Sequence, residues 1–206
     1  MTPSRVPEAL FRTRVRNPAL PGDNPFEWRD VTTAEVFAGK RVVLFAVPGA
    51  FTPACSESHL PGFERLHDDF IALGVDEVIC LAVNDAFIMH QWARSQSIAK
   101  VRMLPDGNGE FTRKMGMLVD RSSTGMGLRS WRYAMLVEDG EIVKLFAEPE
   151  LRDNPPGVPV TVSDAQTMLD FIRSRYAPYG CCHPAMPADR QGCVTADMGI
   201  VATKHP

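Results

Sequence analysis

The sequence predicts an α/β domain in which helices flank a mixed central sheet, and three observations lead to this fold class. Two apolar runs rich in β-branched residues, at 41–47 and 77–83, have the composition of strands that are buried on both faces. Each run is followed by a stretch in which apolar residues recur at helical spacing. Two further strand patterns, at 131–137 and 141–147, flank the turn sequence EDG and predict a β-hairpin.

The bulk properties of the chain are those of one globular domain. Its 206 residues are sufficient for one substantial core. A net charge of −3 gives no reason to expect a nucleic-acid partner. No apolar run approaches the ~18 residues that a membrane span requires, and no secretory signal pattern is present. We therefore expect a cytoplasmic location and no membrane association.

The N-terminal segment is basic, and its alternation predicts a first strand. The sequence LFRTRV at 10–15 alternates and lacks the amphipathic length of a transit peptide. A short organellar presequence is the alternative interpretation. Against the single acid Glu8, the basic residues of this segment are Arg5, Arg12, Arg14 and Arg16.

Two predicted helices follow the two buried strands. Gly74 ends the first, and the second starts from Asp85. The sequence PDGNGEF at 105–111 then has the composition of a turn. The apolar positions that define the two helices are Phe63, Leu66, Phe70 and Leu73 in the first, and Ile88, Met89, Trp92 and Ala93 in the second.

A final helix closes the predicted domain. Ser163 and Gln166 have the spacing of a capping box, and the helical pattern stops after Tyr179. We therefore predict a domain at 1–179 and a cysteine-containing tail at 180–206. The element order is that of a thioredoxin-like fold, although other α/β topologies are compatible with it. The predicted buried stripe of the final helix is Ala165, Met168, Leu169, Ile172 and Tyr176.

The stretch VPGAFTPACSESHLPGF, at 47–63, places a cysteine where a strand gives way to a helix. Thr52 is a favoured N-cap and Pro53 a favoured first helical residue, which makes Cys55 the third residue of the helix. Unpaired N–H groups and the helix dipole favour negative charge there, and the thiolate is the nucleophilic form of cysteine. The pattern indicates a reactive thiol, with simple core packing as the alternative. Pro61 predicts a kink in the same helix.

The spacing Pro48-x-x-x-Thr52-x-x-Cys55 resembles the peroxidatic-cysteine signature of the peroxiredoxins. The wider stretch is similar to the type II/type V (atypical) branch of that family, in its bacterial glutathione/glutaredoxin-dependent type. The resemblance continues through VNDAFIMHQW, PDGNGEFTRKMGM and RSWRYAMLVEDG, and it covers roughly residues 5–175. It implies a thioredoxin-like fold and a thiol peroxidase activity.

The resemblance also implies roles for individual residues. Cys55 would attack a hydroperoxide as a thiolate and become a sulfenic acid. Thr52 and the Cys55 backbone N–H would offer hydrogen bonds to the thiolate and the peroxide, while Pro48 would shield the site from water. Arg132 would lie next to the sulfur and polarise the peroxide, and Arg129 is the alternative by position alone.

His59 and Glu57 lie close to Cys55 in sequence but are expected to be helix-face residues. A thiolate that already exists at neutral pH needs no general base. We therefore assign neither residue a direct role.

Five cysteines are an odd number, so a disulfide framework is not expected and reduced thiols are the default. The stretch EPELRDNPPGVPVTVSD before the last helix has no resolving cysteine. Cys80 lies in a buried strand pattern, where core packing is favoured over resolution. A tail cysteine could resolve the sulfenic acid of Cys55. Zinc binding by the tail is a weaker alternative, because its cysteines lack paired C-x-x-C spacing. They are Cys181, Cys182 and Cys193.

An external reductant is therefore expected, either glutathione with glutaredoxin or thioredoxin. The chain has no C-P-x-C motif of a fused glutaredoxin, and no metal, haem or flavin cofactor is expected.

Relatives imply a homodimer with Phe51 and the DAF segment at 85–87 as contacts. A peroxide sensor that passes oxidation to a protein partner is the main alternative. The absence of C-x-x-C argues against a disulfide oxidoreductase, and no histidine is placed as the base of a cysteine hydrolase.

Overall fold

The computed structural model describes residues 3–22 and 25–176. Nine strands are present in this part of the chain: β1 (Leu10–Arg16), β2 (Phe26–Thr32), β3 (Arg41–Val47), β4 (Glu77–Ala82), β5 (Arg102–Pro105), β6 (Leu118–Asp120), β7 (Leu128–Ser130), β8 (Tyr133–Glu138) and β9 (Glu141–Ala147). The α-helices there are α1 (Thr33–Phe37), α2 (Leu60–Arg65), α3 (His67–Ala72), α4 (Ala86–Ser95), α5 (Glu110–Lys114) and α6 (Ala165–Tyr176). Within the described ranges, no helix has both the length and the apolar character of a membrane span.

A five-stranded mixed sheet in the order β5-β4-β3-β8-β9 forms the centre of the domain. β3 pairs in parallel with β4 and antiparallel with β8, and β4 pairs in parallel with β5. The β8–β9 hairpin turns at Asp139 and Gly140, whose φ angles of 46° and 78° suit a tight hairpin turn. The predicted mixed sheet and the predicted hairpin are confirmed.

Both faces of the sheet are buried, as the continuous apolar sequence of β3 predicts. Val43, Phe45 and Val47 face a cluster that includes side chains of α2, α3, α4 and α6. Val42 and Leu44 face the opposite cluster, which includes residues of β1, β2, α1 and α5. Alternate residues of one strand therefore serve two separate apolar layers.

Several short elements had no sequence prediction. β1 lies where the basic first strand is predicted, but its partner β2 was not anticipated because five of its seven residues are exposed and no apolar alternation marks it. The short β6–β7 hairpin is likewise unpredicted. The predicted tail at 180–206, with its three cysteines, lies outside the described residues.

The predicted capping box of the last helix is wrong. Asp164, not Ser163, caps α6: its carboxylate accepts from the backbone N–H groups of Gln166 and Thr167 at 2.9 and 3.0 Å. Ser163 is fully buried and donates its hydroxyl to Glu148 instead, at 2.7 Å. The sequence S-D-A-Q offers two adjacent capping residues, and the tertiary partner Glu148 decides between them.

Candidate active site

Cys55 lies at the start of the helical segment that follows β3. Pro53 and Ala54 open this segment, so Cys55 is its third residue, as predicted. A π-turn runs over Cys55–His59, in which the N–H of Leu60 donates to the carbonyl of Cys55. The irregularity that was predicted at Pro61 thus takes the form of a wide turn immediately before it. The side chain of Cys55 is completely buried.

Thr52 precedes this segment, but its hydroxyl does not cap the helix. The hydroxyl donates to the carbonyl of Gly49 at 2.8 Å, while the backbone carbonyl of Thr52 accepts from Ser56 at 3.0 Å. A hydroxyl has one proton and two lone pairs. Because the proton is used on Gly49, the oxygen of Thr52 is left as a hydrogen-bond acceptor. This differs from the predicted role as a donor to the sulfur.

Arg132 is the arginine that reaches the sulfur. Its Nη1 atom lies 3.5 Å from the Sγ atom of Cys55, and only 2% of the residue is exposed. Its Nε donates to the carbonyl of Val158 at 3.0 Å, which fixes the plane of the guanidinium. Arg129 points elsewhere and donates to the carbonyl of Val83 at 2.7 Å. The structure therefore selects Arg132 over the positional alternative.

His59 was predicted to be a helix-face residue with no direct role, but it is buried and contacts the arginine of the site. It is almost fully buried, with Nδ1 3.1 Å from Nη1 of Arg132 and Nε2 2.7 Å from the carbonyl of Ser163. A carbonyl can only accept, so Nε2 carries the proton and Nδ1 accepts from Arg132. Burial and the charge of Arg132 lower the pKa of His59 from 6.5 to about 4. The imidazole is therefore neutral at physiological pH.

A sequence signal for His59 was present. His59 is four residues after Cys55, so the two share one helix face, and it is followed by the apolar residues Leu60 and Phe63. That position indicates burial beside the thiol. Glu57, two residues away, is exposed as predicted.

Glu148 extends the network below His59 and was missed by sequence reasoning. It is buried, and it accepts from the backbone N–H groups of Thr161, Val162 and Ser163 and from the hydroxyls of Thr161 and Ser163. Burial opposes its ionisation, but these hydrogen bonds prevail and lower its pKa to about 2. An ionised carboxylate thus organises the loop whose Ser163 carbonyl holds His59. Nothing in the local sequence marks Glu148, because all of its partners are at least 13 residues away.

Pro48 and Cys80 lie in the same region but differ in what they can do. Pro48 is buried immediately after β3, and its predicted role in shielding the site from water stays a prediction. Cys80 is buried in β4 and belongs to the same apolar cluster as Cys55. Burial and the proximity of Cys55 raise the pKa of the Cys80 thiol well above its usual range. This supports the predicted packing role of Cys80.

The buried neutral state of His59 predicts a defined pH dependence of stability. The unfolded chain takes up a proton on this residue below its ordinary value of 6.5, whereas the folded protein does so only at about 4. The free energy of unfolding that depends on His59 is therefore lost as the pH falls from 6.5 to 4. Replacing His59 by asparagine removes this contribution, so the stability difference between wild type and variant should shrink over that interval.

Urea unfolding at several pH values measures the difference. His90→Asn, at an exposed histidine, is the matched control for the loss of an imidazole. A His59→Asn difference that is constant from pH 6.5 to 4 would contradict the buried neutral assignment.

Comparisons with known proteins agree with this geometry. The Redoxin family model matches residues 27–169. The chain is 58% identical over 178 residues to a peroxiredoxin of Synechocystis, which covers 86% of this chain and 94% of that protein. Among solved structures, a peroxiredoxin is 34% identical with a TM-score of 0.77, covering 84% of this chain and 98% of the other.

A second solved structure, reduced Prx3 of Vibrio vulnificus in complex with H₂O₂, is 38% identical with a TM-score of 0.69 and covers 82% of this chain and 96% of its own. These neighbours confirm the thioredoxin-like fold. With this fold, the PGAFTPAC stretch and the extent of the family match, the chain belongs to the peroxiredoxin family and is a thiol-dependent peroxidase.

Proposed function

We propose that this protein reduces hydrogen peroxide and small organic hydroperoxides through a sulfenic acid on Cys55. The observation that carries the proposal is the buried guanidinium of Arg132 at 3.5 Å from the sulfur. Two unit charges about 4 Å apart attract by roughly 4 kcal/mol at an effective dielectric constant of about 20. Together with the start of the helix, this attraction favours the thiolate form in an otherwise apolar setting.

The first step transfers one oxygen atom. The thiolate sulfur attacks the outer oxygen of the hydroperoxide, an S–O bond forms and the O–O bond breaks. The leaving hydroxide or alkoxide takes up a proton and departs as water or alcohol, which leaves Cys55 as a sulfenic acid. Negative charge shifts from sulfur to the two oxygens during this step, so fixed donors near them stabilise the transition state.

The remaining residues have roles that follow from their hydrogen bonds. Arg132 is positioned to donate to both the sulfur and the incoming oxygen. Thr52, whose proton is used on Gly49, accepts the hydroperoxide O–H and so orients the outer oxygen toward sulfur. Pro48 limits the access of water. Support for peroxide binding in such a site comes from the H₂O₂ complex of the similar Vibrio protein.

His59 acts as a positioning residue for Arg132. A neutral imidazole accepts a hydrogen bond from the guanidinium without competing with the sulfur for its positive charge. A protonated imidazole would repel Arg132 and would have no lone pair to offer it. The low pKa of His59 therefore keeps the guanidinium directed at Cys55 over the whole neutral range.

An external thiol completes the cycle in this proposal. A thiolate of the reductant displaces the oxygen of the sulfenic acid as water and forms a mixed disulfide, and a second thiol releases Cys55 as a thiol. Buried Cys80 is unsuited to this role, and residues 148–164 contain no cysteine. Glutathione with glutaredoxin, or thioredoxin, is the proposed co-substrate, with no metal or organic cofactor, in the cytoplasm.

Replacing Arg132 tests the central interaction. Arg132→Gln should slow the oxidation of Cys55 by hydrogen peroxide by about 10²–10³, because one fixed donor and its charge are removed. Arg132→Lys should be intermediate, since an ammonium group keeps the charge but cannot reproduce the guanidinium contacts to Cys55, His59 and Val158 together. Cys55→Ser should abolish peroxide consumption.

Single-turnover consumption of hydrogen peroxide measures these effects. Arg113→Gln, at an exposed arginine of α5, is the matched control and should react at the wild-type rate. A wild-type rate in Arg132→Gln would refute the proposed role.

Intact mass after one equivalent of hydrogen peroxide tests the route of resolution. We expect the gain of one oxygen atom, because no internal thiol of the described chain is suited to form a disulfide with Cys55. Loss of two hydrogens would instead reveal an internal disulfide, and Cys80→Ala and a truncation after Tyr179 would then identify its second cysteine. Steady turnover with glutathione plus glutaredoxin, compared with thioredoxin, distinguishes the reductants and separates the enzyme from a sensor.

A homodimer is part of the proposal, and exposed aromatic residues support it. Phe51 and Phe87 are each about half exposed, and Trp28 packs edge-on against Phe87 with 5.5 Å between ring centroids. Exposed aromatic residues grouped near one site are typical of protein–protein interfaces. Phe87→Arg should shift the protein from dimer to monomer in sedimentation velocity, whereas Ile71→Arg, at an exposed apolar residue of α3, should not. A wild-type monomer at micromolar concentration would rule the dimer out.

A further inference from the structure

Two arginines next to the active site have no role in the network around Cys55. Arg121 follows β6, and Arg129 lies in the middle of β7. Within residues 3–22 and 25–176, neither guanidinium forms an ion pair with a carboxylate, and the Nε atom of each is buried without a hydrogen-bond partner. Buried polar groups are normally paired, so these two exceptions single out Arg121 and Arg129 among the arginines near the site.

The register of the hairpin brings the two side chains to one face. In the β6–β7 pairing, Val119 lies opposite Arg129. The N–H of Arg121 donates to the carbonyl of Gly127 at 2.8 Å, so Arg121 lies opposite Gly127, two positions further along the ladder. Positions two residues apart along a ladder share a face. Arg121 and Arg129 are therefore diagonal neighbours, a relationship that places Cβ atoms roughly 7–8 Å apart.

This face lies against the segment that leads to Cys55. Nη1 of Arg129 donates to the carbonyl of Val83, directly after β4, and β4 is paired with β3 so that Ala82 is opposite Val47. In the same loop, Met126 approaches Gly49: a Cβ atom on Gly49 would lie 3.6 Å from Cε of Met126. Arg129 is thus bonded to the end of β4, which lies one strand spacing from the end of β3, where the segment leading to Thr52 and Cys55 begins.

The charge of this pair is uncompensated. Burial lowers the pKa of Arg129, with no opposing acidic group. Arg121 is only 8% exposed, and its terminal nitrogens donate to no described residue. These nitrogens are not enclosed in the protein, so they face solvent at the surface of a largely buried side chain. Two cations held this close repel each other, and an anion bound between them would offset the repulsion and accept hydrogen bonds from the terminal nitrogens that face solvent.

We propose that Arg121 and Arg129 form an anion subsite that binds a carboxylate group of a small molecule reacting at Cys55. The planar guanidinium donates two parallel hydrogen bonds to a carboxylate, which suits this ligand better than a point charge would. Two sources share this chemistry: an anionic thiol reductant such as glutathione, which carries two carboxylates, and a hydroperoxide with a carboxylate tail. The naming of these sources rests on the proposed function.

Binding of unreactive probes tests the subsite without turnover. S-methylglutathione has no free thiol and stands for the reductant, and decanoate stands for the tail of an anionic hydroperoxide. Each is titrated into the reduced wild-type protein by NMR, alongside its methyl ester. We expect at least one of the two acids to bind about tenfold or more tightly than its ester, and Arg121→Gln to abolish that preference. Arg121 is the better position to alter, because Arg129 also supports Val83.

Matched variants separate this result from misfolding. Arg121→Lys should retain part of the preference for the acid, and Arg113→Gln should retain all of it. If S-methylglutathione binding depends on Arg121, the bound carboxylate belongs to the reductant. If decanoate binding depends on Arg121, it belongs to the hydroperoxide. An acid preference that persists in Arg121→Gln, or no preference in the wild-type protein, would overturn the subsite. If the wild-type protein had no peroxidase activity but still preferred the acid to its ester in an Arg121-dependent way, the result would count against the proposed function alone.

Discussion

The structure depends on one interaction, the contact between the guanidinium of Arg132 and the sulfur of Cys55. Burial by itself disfavours a thiolate, and the neighbouring Cys80 shows the effect. Both cysteines are fully buried in the same apolar cluster, but only Cys55 is at a helix start with an arginine beside it. The two thiols therefore differ in their surroundings rather than in their burial, and the proposed chemistry at Cys55 rests on that difference.

That cation is held by groups from two separate parts of the chain, the helical segment after Cys55 and the loop before α6. Val158 accepts from Nε, His59 accepts from Nη1, and Ser163 in turn holds His59. Glu148 then fixes the backbone at Ser163 and at the two residues before it. Buried polar networks of this kind lose more than one bond when a member is removed, because the remaining partners are left unsatisfied. The geometry at Cys55 is thus a property of the whole arrangement rather than of its nearest neighbours.

Much of the fold could be predicted from the sequence because it follows from local patterns. The apolar runs of β3 and β4 and the hairpin around Asp139 and Gly140 each have a period or turn signal that is visible within ten residues. The helix start at Pro53 is equally local, so the position of Cys55 could be predicted as well. The strand β2 could not, since most of its side chains are exposed.

The site was predictable only where a motif marks it. Arg132 was recognised by resemblance, and physical reasoning alone left Arg129 as an almost equally eligible candidate. The contact of His59 with Arg132 was missed because the two residues are 73 positions apart, although the local pattern does indicate that His59 is buried. Glu148 was missed because its partners are also distant in sequence. Ser163 was assigned as a cap because local sequence cannot show that Glu148 competes for its hydroxyl. In each case a tertiary contact overrides a local preference.

The loop before α6 contributes to this network mainly through its main chain. Val158 and Ser163 present peptide oxygens, which every amino acid carries, to Arg132 and His59. Side-chain exchanges at exposed positions such as Glu150 and Leu151 leave those oxygens in place. An insertion or deletion between Glu148 and Asp164 would displace them. Evolutionary drift in this region should therefore be free in composition at its exposed positions but restricted in length. A second thiol engineered into this loop should replace an exposed residue rather than be inserted.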